Sequence, residues 1–175
     1  GVSDQIDIIN GTLAKGFGQI GGYITGDAIL IDFIKSFAPG FIFTTSMMPA
    51  IAAAASKSIE IVQTLDEERK LVFSKANYIK NQLKKVGIDF IDSDSHIIPV
   101  LAYDESKVKD YSNTLLNKHN TYLQPIFYPT VPKGSARLRI TVTPKHSITD
   151  INDLISSLRM TWGKHSQRVI SAPLQ

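Results

Sequence analysis

The stretch Gly11-Thr12-Leu13-Ala14-Lys15-Gly16-Phe17-Gly18, followed at once by Gly21-Gly22, constrains this chain more than any other. It comes after Ile6-Asp7-Ile8-Ile9, a short apolar run that predicts a strand of the kind buried on both faces in a parallel sheet. Glycines at this density let the backbone turn tightly and let a ligand come close. A lysine among them, at the end of a buried strand, is partly desolvated; that lowers its pKa and makes its amine a usable nucleophile or base. Thr12, three residues earlier, offers a hydroxyl and an N–H to a phosphate. Those are the requirements of a lysine that condenses with a phosphate-bearing aldehyde cofactor. A solvated lysine beside a glycine turn meets the same pattern, and the spacing of a nucleotide-binding P-loop is missing.

The segments that follow are too few to bury such a strand. Only Tyr23–Thr25 and Phe41–Thr45 read as sheet mates, so the chain is expected to be the C-terminal part of a longer protein. Helical spacing of Leu30, Ile31, Ile34 and Phe37 predicts a short helix over Asp27–Phe37, broken at Pro39-Gly40. Pro49 suits the first turn of another, running to about Leu65. A third is predicted over Glu67–Val86, with Gly87 as its C′ residue. The pattern then changes to short alternating elements. Strands are expected near 88–91, 97–102, 122–125 and 137–143, and helices near 106–118 and from Ser147 or Thr149 to about Lys164. The organisation read here is 1–65 as the remainder of a larger domain, 66–165 as a small α+β domain, and 166–175 as a fraying tail.

Arg137, Arg139, Thr141 and Thr143 alternate with Leu138, Ile140 and Val142. On a strand this sends the aliphatic residues to the core and both arginines to the other face. That face is either plain solvated surface or a place where one guanidinium forks onto a carboxylate.

Bulk properties exclude several classes. A net charge of +3 with scattered basic residues argues against a nucleic-acid stripe. With no cysteine there is no disulfide framework and no thiolate metal site. The uncharged interval Ser36–Ser56 is broken by Pro39, Gly40 and Pro49, so it is not a membrane span. No signal pattern opens the chain, and the expected location is cytoplasmic. His96 and His146 lack partner ligands at metal spacing, so structural or capping roles are expected and no metal.

The lysine stretch resembles the cofactor-lysine motif of the pyridoxal-phosphate α-oxoamine synthases. Three further stretches, Ala38–Ser46, Ser95–Val100 and Gln124–Gly134 with Arg137-Leu138-Arg139, narrow this to a resemblance to the 5-aminolevulinate branch, Ala38–Ser46 being the more particular to it. The similarity runs from about Ile6 to about Trp162. It implies an α/β architecture of fold type I, here the end of the large domain plus the α+β small domain. It also implies condensation of glycine with succinyl-CoA to 5-aminolevulinate, CoA and CO2, in a homodimer with its site at the subunit interface. In that scheme Lys15 holds pyridoxal 5'-phosphate and moves protons at the substrate carbon, and Thr12 meets the cofactor phosphate. Thr44 or Thr45 reaches the phosphate across the dimer, Arg139 holds the glycine carboxylate, and Thr130, on a loop that closes, lies near the succinyl carboxylate. The acid and histidine that flank the cofactor ring in the family have no counterpart in this sequence. Sister synthases making 2-amino-3-ketobutyrate or 8-amino-7-oxononanoate, and a non-catalytic α+β module, are the rival readings.

Overall fold

The computed structural model describes residues 1–163 together with Ile170 and Ser171. The chain divides into two compact units, Gly1–Asp66 and Glu67–Gln175.

In the first unit, β1 (Ile8–Thr12) and β2 (Gly22–Gly26) form an antiparallel hairpin, with Ile8 opposite Gly26 and Thr12 opposite Gly22. This corrects the expected parallel strand. A parallel neighbour needs a long crossover connection. Here Gly18 (φ 66°) and Gly21 (φ 104°) instead reverse the chain within one loop, so the nearest mate runs back alongside. Two glycines of β2 are required by the pairing itself: a Cβ on Gly22 would stand 2.7 Å from the Gly11 carbonyl oxygen, and one on Gly26 2.4 Å from that of Asp7.

Three helices follow, α1 (Ala28–Phe37), α2 (Pro39–Ile42) and α3 (Pro49–Val62). Asp27 caps α1, its carboxylate accepting the Ile29 N–H at 2.9 Å. The predicted strand Phe41–Thr45 is not formed. Pro39 sits in the first turn of α2, and the Ala38 carbonyl accepts from Phe41 and Ile42 at 2.9 and 3.0 Å, which curls the aromatic run into a helical turn. In this unit only Leu13 and Ala55 are buried, and Ile29, Phe37 and Phe43 are widely exposed.

The second unit has a core of its own. α4 (Asp66–Val86) ends at Gly87, which takes φ 71° as a C′ residue should. β4 (Ile97–Tyr103), β5 (Gln124–Ile126) and β6 (Ala136–Thr141) form an antiparallel sheet in the order β4–β6–β5. α5 (Glu105–His119) and α6 (Ile148–Trp162) complete the main elements. α6 carries a capping box: the Asp150 N–H donates to the Ser147 Oγ, and the Ser147 N–H donates to the Asp150 carboxylate at 2.7 Å. That bond, first among its surroundings, holds the Asp150 carboxyl below the ordinary value. Leu138 and Ile140 of β6 pack with Ile98 and Val100 of β4 and with Ile79, Leu83, Leu115 and Leu158 of the helices. The short strand β3 (Ile91–Asp92) pairs in parallel with β7 (Ile170–Ser171), where a fraying tail is expected. The rest of that tail, and the expected helix end at Lys164, lie outside the described residues.

One buried charge ties α4 to β3. Lys80 is 6% exposed and donates to the Ser93 carbonyl, and its Nζ lies 3.7 Å from Asp92, which also accepts from Lys84 at 2.9 Å. The Lys84 bond is the main cause that holds the Asp92 carboxyl below its usual value. A lowered folded-state pKa contributes stability that is present above the unfolded value and is lost as pH falls through the folded one. Asp92→Asn should therefore flatten the acid side of a denaturation profile below about pH 4. The difference should stay under about 1 kcal/mol, since the carboxylate is 37% exposed and screened. Superimposable profiles of the two proteins would show that the pair carries no stability.

Candidate active site

The loop between β1 and β2 is closed by backbone hydrogen bonds: Leu13 N–H to the Gly21 carbonyl at 2.9 Å, Gln19 N–H to that of Leu13 at 2.8 Å, and Gly18 N–H to that of Lys15 at 3.0 Å. Leu13 is buried and anchors the loop, while Lys15 stands exposed at its tip. Among the described residues of the first unit nothing covers the hairpin, so the partly desolvated setting expected for Lys15 is not provided by that unit itself. Among the described residues the Lys15 amine has no hydrogen-bond partner. Added Cβ atoms on Gly16 and Gly18 would meet nothing within 4 Å, so the backbone on either side of Phe17 is open to a ligand.

Thr12 is held for a donor role. Its Oγ accepts the Ala14 N–H at 3.2 Å, which leaves the hydroxyl proton free for an anionic oxygen. A primary amine, a hydroxyl donor and an open glycine turn in one loop fit an aldehyde-bearing phosphate ester. Thr44 and Thr45 lie exposed in the irregular segment between α2 and α3 rather than at a strand end. The segment passes the same loop, since a Cβ on Gly21 would stand 3.0 Å from the Met47 Cε.

The second unit carries the arginine face. β6 alternates as expected, with Ala136, Leu138 and Ile140 buried and Arg139 and Thr141 exposed. Arg137 is half-buried, its Nε donating to the Ser135 carbonyl at 2.9 Å, and burial draws its guanidinium pKa below the usual value. The Arg139 guanidinium has no hydrogen-bond partner among the described residues. A cavity of about 540 Å3 is lined by Arg139 and Thr141 together with Gln124, Tyr122, His119 and Asp153. Thr130 is exposed in the loop between β5 and β6, its N–H donating to the Phe127 carbonyl at 3.0 Å just past a cis Tyr128–Pro129 bond.

His96 and His146 have structural surroundings. His146 Nδ1 accepts the Thr143 N–H at 3.0 Å, and its carbonyl accepts from Lys75 at 2.6 Å; His96 meets the edge of Phe73 at 6.1 Å. Lys15 and Thr12 therefore share one loop, and Arg139 stands on a separate sheet in the second unit. Gln124 and Tyr122 had no assigned role in the sequence, because nothing in its pattern says which β5 residue pairs with Arg139.

Residues 1–158 match the family described as Aminotransferase class I and II. The chain is 46% identical over 164 residues to 5-aminolevulinate synthase of Rhizobium meliloti (strain 1021), covering 94% of this chain and 41% of that protein. It is 48% identical over 156 residues to 5-aminolevulinate synthase of Rickettsia felis, covering 89% and 38%. Among solved structures, serine palmitoyltransferase from S. paucimobilis superposes with a TM-score of 0.84 at 24% identity, over 92% of this chain and 41% of that one. The chain thus spans about two fifths of the length of the curated relatives it matches.

Proposed function

The chain belongs to the aminotransferase class I and II family, and from that membership we propose that it supplies the lysine and the carboxylate arginine of a 5-aminolevulinate synthase. Members of the family are pyridoxal phosphate enzymes of fold type I. The proposed reaction joins glycine to succinyl-CoA and releases CoA and CO2. The observation that carries this reading is the β1–β2 loop, which presents a primary amine, a free hydroxyl proton and an open glycine turn together.

When bound, pyridoxal phosphate supplies an electron sink for negative charge developing at the carbon next to the substrate nitrogen. The chain's own residues do the rest. Lys15 would hold the cofactor through its Nζ and, once the glycine amine has taken its place there and freed it, would accept a proton from the glycine α-carbon and return one after CO2 has left. Thr12 donates its hydroxyl proton to a phosphate oxygen, and Thr44 or Thr45 makes the matching contact to the other subunit of a homodimer. Arg139 forks onto the glycine carboxylate and fixes which bond at the α-carbon lies across the cofactor plane. Thr130 binds the succinyl carboxylate as its loop closes. The proposed compartment is the cytoplasm; among the described residues no helix is long and apolar enough to cross a membrane.

The test is acyl-donor choice in the protein as its gene encodes it, loaded with pyridoxal phosphate. Succinyl-CoA with glycine should release CoA at least about tenfold faster than acetyl-CoA with glycine, which lacks the second carboxylate, or than pimeloyl-CoA with alanine, whose carboxylate stands three methylenes further out. A preference for acetyl-CoA or pimeloyl-CoA would assign a sister synthase. No CoA release with any donor would leave a binding module.

A further inference from the structure

The register of the small sheet decides what flanks Arg139. Pro99 of β4 stands directly opposite on one side and Gln124 of β5 on the other. Residues directly opposite share a face, with Cβ atoms about 4.5–5.5 Å apart. Pro99 has no side-chain donor, so of the two residues directly opposite Arg139 it is Gln124 that brings one. Its amide is held at both ends. Nε2 donates to the Pro125 carbonyl at 3.2 Å, and Oε1 accepts from the Tyr122 hydroxyl at 2.6 Å. A backbone carbonyl can only accept, so the nitrogen is the end at Pro125, and one of its two N–H groups remains free. Arg139, Gln124 and Tyr122 line the same cavity. Arg137 is not an equivalent neighbour, since its Nε is committed to the Ser135 carbonyl.

We propose that Gln124 is a substrate-binding residue: its free amide N–H donates to the same amino-acid carboxylate that Arg139 grips, while the Tyr122 hydroxyl fixes the amide in place. The proposal rests on the reading of Arg139 as the carboxylate arginine. A guanidinium fork alone lets the bound carboxylate tilt about the fork. A third donor from the neighbouring strand fixes that tilt, and with it the direction of the α-carbon. Tyr122 is then a positioning residue acting through Gln124.

The experiment uses the protein as its gene encodes it, loaded with pyridoxal phosphate. Glycine is titrated without acyl donor, followed by the cofactor absorbance, and then under turnover. Gln124→Leu should raise the glycine half-saturation about tenfold, the loss of one hydrogen bond to a charged group. Gln124→Glu should raise it further by repulsion, and Tyr122→Phe should raise it less than either. The KM for succinyl-CoA and the melting temperature should stay at wild-type values, whereas a merely structural Gln124 would move both. Arg139→Lys is measured alongside. If that variant leaves glycine binding unchanged, the carboxylate reading itself is wrong. If it weakens binding while both Gln124 variants match wild type, the Gln124 assignment alone is overturned.

Discussion

In the protein as its gene encodes it, Lys15→Arg should lower the proposed 5-aminolevulinate formation by about 10³-fold or more, the scale of losing a positioned acid–base group. Arginine keeps the charge and nearly the length of the side chain. It stays protonated at any working pH, however, and so can neither condense with an aldehyde nor accept a proton from carbon. The substitution leaves the fold alone. Lys15 is exposed, and the loop is closed by backbone bonds from Leu13, Gly18 and Gln19. The change in stability should stay within about 0.5 kcal/mol. Two readouts separate chemistry from binding: product formation with glycine and succinyl-CoA, and borohydride reduction after loading with pyridoxal phosphate. Wild type should retain a reduced pyridoxyl group on Lys15, and the variant should retain none at that position. Normal turnover in the variant would leave the proposed chemistry without its amine.

Local pattern carried much of this molecule. The 3.6-residue spacing placed α1, α4 and α5 within a residue or two of their observed ends, and the period-two alternation around Leu138 and Ile140 named the buried face of β6. Gly87 marked a helix end from a few residues alone, and of the two starts read for the last helix, Ser147 or Thr149, it is Ser147 that caps it. What failed was pairing. The apolar run at Ile6–Ile9 has the composition of a buried parallel strand, whereas its observed antiparallel pairing comes from the glycine loop after it, which turns the chain back. Phe41–Thr45 has strand-like residues, but the start of α2 at Pro39 captured the segment first. The site divides along the same line. Lys15 and Arg139 stand out by residue type and neighbours, whereas Gln124 enters the proposed site only through the register that sets it opposite Arg139. The exposure of Lys15 is likewise a property of what covers the hairpin, which its own residues do not encode.

Arg139→Lys should lower kcat/KM for glycine by about 10²-fold, nearly all of it expressed at subsaturating glycine. The guanidinium offers two parallel N–H donors that match a carboxylate, whereas an ammonium is a point charge that meets one oxygen at a time. Long-range attraction survives the change and geometry does not. A residual effect on kcat is expected too, because a loosely held carboxylate no longer fixes the bond to be broken. The fold should tolerate the substitution, since Arg139 is exposed and makes no side-chain hydrogen bond among the described residues. Arg137→Lys supplies the contrast on the same strand. Its guanidinium is half-buried and donates to the Ser135 carbonyl at 2.9 Å. That substitution should cost about 1 kcal/mol of stability through the lost bond and leave the glycine KM within about twofold of wild type, a margin of about 0.4 kcal/mol. If the two variants exchanged these behaviours, the carboxylate grip would belong to Arg137, and Gln124, which stands opposite Arg139, would lose its reason to face the substrate.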